Sequence, residues 1–206
     1  MKAALALLAA FAIAAPASAQ SDDVTSRTQA VQRKMRDMDL IIQILPLSLT
    51  TEQIDPILSE LEKIRAEQKK ILENEDKDLL AFETKLDKTL EDAREKGKYP
   101  SKDAMAESNN LLRILSGRRS VARSVFIERV YKIVKDKLND GQLTVMEKSL
   151  DPKLIDPTIK LEGREEKIRF FVRIVFMDPQ AYDVLKKEYI RLKKGGEKPA
   201  KTEGEG

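Results

Sequence analysis

LNDGQLTVMEKSL, residues 138–150, repeats in outline LTTEQIDPILSEL, residues 49–61. Setting Leu138 on Leu49 aligns Gln142 with Gln53 and Leu150 with Leu61, and pairs Thr50 with Asn139, Ile54 with Leu143 and Ile57 with Met146. Thr50 precedes Gln53 by three, the spacing of a capping box: the hydroxyl accepts from the amide of residue 53 while the Gln side chain reaches back. Asn139 can cap a helix before Gln142 in the same way, although Gly141 is a weak helix former. Asp55-Pro56 offers a second helix start one turn after Thr50, because the missing proline N–H is tolerated there. Both starts are open to this sequence.

Outward from the repeats the chain reads as long helices. Ile57, Leu61, Ile64, Ile71, Leu72, Leu79, Phe82, Leu86 and Leu90 hold a helical stripe as far as Lys96, interrupted by Gln68 and Glu75. Gly97 and the KYPS stretch, 98–101, turn the chain. From Ser101, a fitting N-cap, a second stripe of Met105, Leu112, Leu115, Ala122, Phe126, Val130 and Ile133 runs into LNDGQ. Two long helices joined by a short turn pack antiparallel, which brings the second copy of the repeat back beside the first. The two copies are thus expected to cap the same end of a helical hairpin.

Ahead of the hairpin, Val24, Val31, Met35, Met38, Ile42 and Leu45 recur at helical spacing until Pro46 closes the segment. Behind it, a linker with Asp151-Pro152 and Asp156-Pro157 precedes a helix expected over about 163–177 and a last one from Asp178-Pro179 to about Lys194. IRFFVRIVFM, 168–177, is apolar nearly all round and too short to span a membrane, so it reads as a buried helix or a subunit interface.

The first residues, MKAALALLAAFAIAAPASA, combine a basic start, a short apolar run and small residues at Ala17 and Ala19, the pattern of an export signal cut before Gln20. The mature chain is therefore expected in a periplasm or outside the cell. It has no Cys, hence no disulfide. Charged residues make up 35% of the chain against 5% aromatics, the composition of solvated helices rather than of a β-sandwich. A net charge of +3 is too small to name a nucleic-acid partner.

The chain has no His either, which removes the common general base, the commonest zinc ligands and, with Cys, the thiol nucleophile. Carboxylates such as Glu73, Glu75, Asp76 and Asp78 sit in a mixed-charge helix and read as a solvated face. Asn139-Asp140-Gly141 is far too short for a calcium loop, and no glycine-rich phosphate loop occurs. No enzymatic activity, cofactor or metal is expected. Arg118 and Arg129 fall near the middle of the apolar arc around Ile114, Leu115, Ala122, Val125 and Phe126. Either they meet carboxylates on the facing arm, such as Glu67 and Glu75, or they stand among apolar groups on an open face. In the second case Arg118, Arg119, Arg123 and Arg129 are candidate contacts for unfolded chains.

LTTEQ at 49–53, LNDGQ at 138–142, the export signal and the hairpin that runs into the second motif together resemble the periplasmic Spy/CpxP family of stress proteins and chaperones. The resemblance covers about residues 30–150 and rests on a repeated L-T-x-x-Q, from which Asn139 departs. It implies a small all-α hairpin that dimerises into a curved cradle and binds unfolded proteins without nucleotide. The zinc binding of some relatives uses His and is not carried over.

The expectation is thus an all-α chain: signal peptide 1–19, hairpin domain 20–150, helical extension 151–194 packed on the same domain, and a disordered tail 195–206. Leu49, Thr50, Gln53, Leu138, Asn139 and Gln142 serve first as caps and a hairpin lock, and only second as client contacts. The competing expectation is a helical structural or regulatory envelope protein that docks on one partner.

Overall fold

Thr50 decides where the long first arm begins. Its extended backbone and the reciprocal bonds with Gln53 satisfy the first amides of a helix that runs unbroken through Thr51–Lys96. The alternative start at Asp55 is not used. Pro56 lies inside the helix, flanked by Ile54 and Ile57, both fully buried. One missing backbone bond there is outweighed by burying those two side chains, each worth about 1.5–3 kcal/mol.

The computed structural model describes residues 21–195, with side chains described from Ser26. The expected signal peptide lies outside the described residues, as does the expected tail from 196 onward. Seven α-helices are described: α1 (Ser21–Ile44), α2 (Thr51–Lys96), α3 (Lys102–Lys137), α4 (Asp140–Ser149), α5 (Pro152–Ile155), α6 (Arg164–Phe171) and α7 (Ala181–Gly195). No strand occurs among the described residues. The fold is all-α. The chain divides into two compact units between Arg36 and Asp37, within α1. Among the described residues the first unit is helix alone.

In the second unit α2 and α3 form the antiparallel hairpin. Gly97, left-handed at φ 60°, ends α2, and Ser101 caps α3 by accepting from the Ala104 amide at 3.1 Å. The core gathers at the end away from this turn, where Ile54, Ile57, Leu61 and Ile64 of α2 meet Phe126, Val130, Tyr131 and Val134 of α3. α7 packs along the first half of α2: Arg65 donates to the Pro179 carbonyl at 2.7 Å and stacks over the Tyr182 ring at 4.3 Å. α6 packs on the end of α3, with Arg169 bonded to Glu128 at 2.7 Å and stacked over the Tyr131 ring at 4.0 Å.

IRFFVRIVFM is buried, but it is not one α-helix. After Phe171 the chain widens into a π-helical segment, Val172–Phe176, closed by the Met177 amide on the Val172 carbonyl at 2.9 Å. Five residues apart on an α-helix, Phe171 and Phe176 would diverge; the wider turn brings their rings edge to face, 5.5 Å between centroids.

α1 carries two apolar stripes. Its long apolar seam does not face the core: Val31, Met35, Met38, Ile42 and Leu45 are all exposed. Leu40, Ile44 and Leu47 are buried instead. Pro46 ends the helix through a tight 3-10 turn, Leu45–Leu47, and Ser48 takes a left-handed φ of 46°, which turns Leu47 and Leu49 inward. The shorter stripe is buried because it lies next to that turn.

Candidate functional site

The two copies of the repeat meet. In the first, Thr50 Oγ1 accepts from the Gln53 amide at 3.3 Å and Gln53 Oε1 accepts from the Thr50 amide at 3.1 Å. In the second, Asn139 Oδ1 accepts from the Gln142 amide and Gln142 Oε1 from the Asn139 amide, both at 2.9 Å. The two boxes then bond to each other: Gln53 Nε2 donates to Gln142 Oε1 at 3.0 Å, and Gln142 Nε2 donates to Gln53 Oε1 at 2.9 Å. The remaining amide hydrogens reach backbone carbonyls, Gln53 to Lys137 at 3.0 Å and Gln142 to Leu47 at 2.9 Å. Each carboxamide thereby uses two donors and two acceptances, its full capacity. Leu49 and Leu138 are buried in the core beneath them. Each copy of the motif thus caps its own helix and bonds the other copy and the backbone just ahead of it.

The four arginines divide. Arg129 bonds Glu60 at 2.6 Å and grips both oxygens of Glu67 at 2.8 and 2.9 Å. The Glu67 bond raises its pKa further, against desolvation, and Glu60 adds to the effect. Arg118 pairs with Asp78 at 2.5 Å, and Arg119 with Glu75 at 2.7 Å. All three therefore tie α3 to α2. Of the two candidate carboxylates, Glu67 meets Arg129, whereas Glu75 serves Arg119 and Arg118 takes Asp78 instead. Arg123 is exposed, with no ion pair among the described residues.

Glu75 is unusual within this ladder. It is 1% exposed, and its Oε1 is buried with no hydrogen-bond partner. A carboxylate taken out of water with one oxygen unmatched costs stability, while Arg119, 60% exposed, can be rehydrated. Replacing Glu75 with leucine is expected to raise stability by about 1 kcal/mol. Urea unfolding checks this: a midpoint lower than that of the parent would show that the half-matched pair is a net stabiliser.

The apolar stripe of α2 changes its surroundings half-way. At about 100° per residue, Leu72, Leu79, Leu86 and Leu90 share the azimuth of Ile54 and Leu61. Met105 and Leu112 likewise share that of Val130 on α3, and in an antiparallel pair the two stripes lie on one side of the hairpin. Near the core this side is covered, with Ile54, Leu61 and Val130 buried. Toward the Gly97 turn it is bare: Leu72 is 50% exposed, Leu86 42%, Met105 48% and Leu112 58%. Leu115 is the one apolar side chain buried in the outer half. Acidic Asp76 and Glu83 on α2 and basic Arg119 and Arg123 on α3 border the bare side.

A separate groove of about 1040 Å³ lies where the last turns of α1 meet α7, lined by Ile41, Leu45, Leu49, Val184 and Leu192 and edged by Asp37 and Lys187. Among the described residues no group of three His, Cys, Asp or Glu side chains is placed to hold a metal ion, and no helix is long and apolar enough to cross a membrane. Comparison with protein-family models, with curated proteins and with solved structures returned no match.

Proposed function

We propose that the protein is an exported, ATP-independent chaperone-like protein, acting as a homodimer, that holds unfolded or misfolded polypeptides and limits their aggregation in the cell envelope. The observation that carries this reading is the bare side of the outer hairpin. A line of leucines and methionines along two rigid helices offers apolar contact without a shaped pocket, which suits clients of no fixed structure. The charged borders would speed capture of chains of either sign. Arg123 and the exposed part of Arg119 belong to that border, whereas Arg118 and Arg129 hold the scaffold.

Light scattering from a chemically unfolded client diluted into buffer without nucleotide tests the proposal. Suppression is expected at near-stoichiometric dimer with two unrelated clients. Leu79→Asp with Leu86→Asp should raise the amount of protein required by at least about tenfold, since each leucine contributes more than 1 kcal/mol of apolar contact. A folded parent protein that fails to suppress at several-fold excess would refute it.

The groove between α1 and α7 favours a second reading, an envelope protein docking on one folded partner. That version predicts a single stoichiometric companion in a pull-down, and variants of Ile41 or Leu45 that abolish its capture while leaving the outer hairpin's apolar side intact.

A further inference from the structure

The seam of α1 is an apolar line that the fold leaves open. Val31 is 55% exposed, Met35 58%, Met38 55%, Ile42 58% and Leu45, one residue past the helix, 48%. Their steps of four, three, four and three average 3.5 residues, the repeat of a two-stranded coiled coil; a helix lying on a globular core carries a wider stripe. In heptad terms Met35 and Ile42 take position a, and Val31, Met38 and Leu45 take position d. The side chains by which α1 holds its own core, Leu40 and Ile44, fall at f and c, on the opposite side of the helix. The core therefore leaves the seam free for a second helix.

We infer that α1 pairs in parallel with α1 of a second copy of this chain. Charge selects both the occupant and the direction. Lys34 takes position g and Asp39 the position e that follows five residues later. In a parallel pair g faces the next e of the other strand, so Lys34 of each copy meets Asp39 of the other, twice per dimer. In an antiparallel pair g faces g, which sets Lys34 and Arg27 against their own kind. Isoleucine at a and leucine at d around residues 42 and 45 also suit two strands. The inference gives the homodimer proposed above an interface, and it does not depend on polypeptide binding.

Sedimentation of the full chain, as its host processes it, tests the pairing. The parent is expected to run as a dimer, and Ile42→Asp, at a site more than half exposed in the single copy, to weaken association at least about tenfold with helix content by circular dichroism unchanged. Lys34→Glu alone and Asp39→Lys alone should each weaken the dimer, and the two combined should restore it. Because the chain has no Cys, Met35→Cys reports direction: a parallel pair places the two thiols side by side and yields a disulfide-linked dimer on mild oxidation. A monomeric parent, an Ile42→Asp variant that still dimerises, or a charge swap that fails to restore association would overturn the inference. Client suppression by a monomeric parent would overturn it while leaving polypeptide binding standing; a seam-dependent dimer without suppression would do the reverse.

Discussion

Gln142→Ala is expected to lower the unfolding free energy by about 3 kcal/mol. The substitution removes both bonds between the glutamines and the return bond to the Asn139 amide, and it strips the Leu47 carbonyl of its donor. Each such bond is worth about 1 kcal/mol net, and a buried group left unmatched costs about 1–3 kcal/mol, so the total exceeds that of an ordinary N-cap loss. Gln142→Glu should be nearly as damaging, because a carboxylate oxygen would then face the Leu47 carbonyl where an N–H now donates. Gln53→Ala, with Gln53 reaching the more solvated Lys137 carbonyl, is expected to cost less. The double variant should cost less than the two singles together by about 1 kcal/mol, the coupling of the shared pair. Urea denaturation of the parent and the four variants measures all of this. A loss below 1 kcal/mol for Gln142→Ala would mean that the repeat is held by its leucines alone.

Phe171→Ala is expected to cost about 4 kcal/mol, the largest effect of any single substitution considered. Phe171 is fully buried, and its ring meets Phe176 edge to face, so the change leaves a cavity and removes the contact that the π-helical segment makes possible. Thermal unfolding checks the magnitude, and Phe171→Leu provides the scale: it keeps most of the volume and should cost roughly half as much. If alanine and leucine cost the same, the aromatic contact rather than the volume would hold the segment.

Much of this fold could be read in the residues. The hairpin was legible because Gly97 and Ser101 are unambiguous punctuation between two apolar stripes, and the two caps because Thr50-Gln53 and Asn139-Gln142 share one spacing. That the glutamines bond to each other was not legible: antiparallel packing brings the motifs together, but the side-chain register across 89 residues depends on the turn at Leu47 and Ser48. The π-helical turn escaped for a different reason. A continuous apolar run has no polar positions to mark its period, so IRFFVRIVFM reads equally well as any buried helix. The seam of α1 was visible, but its orientation was not, since Leu40, Ile44 and Leu47 form a second, shorter stripe and only the Pro46 turn decides which one meets the core. For the arginines, residue type called for carboxylates, yet which of Glu75 and Asp78 each of Arg118 and Arg119 meets depends on how the two arms are set against each other.

The glutamine lock also bears on the order in which the chain is expected to fold. It closes a loop of about 90 residues, and that whole loop is the hairpin, whose own closure can start from the five-residue turn 97–101 and proceed through neighbours in sequence. Joining the ends of so long a loop unaided is entropically slow, whereas a hairpin already zipped delivers Gln53 and Gln142 to each other at little further cost. The lock is thus expected to engage late, and its loss should show as faster unfolding with refolding nearly unchanged.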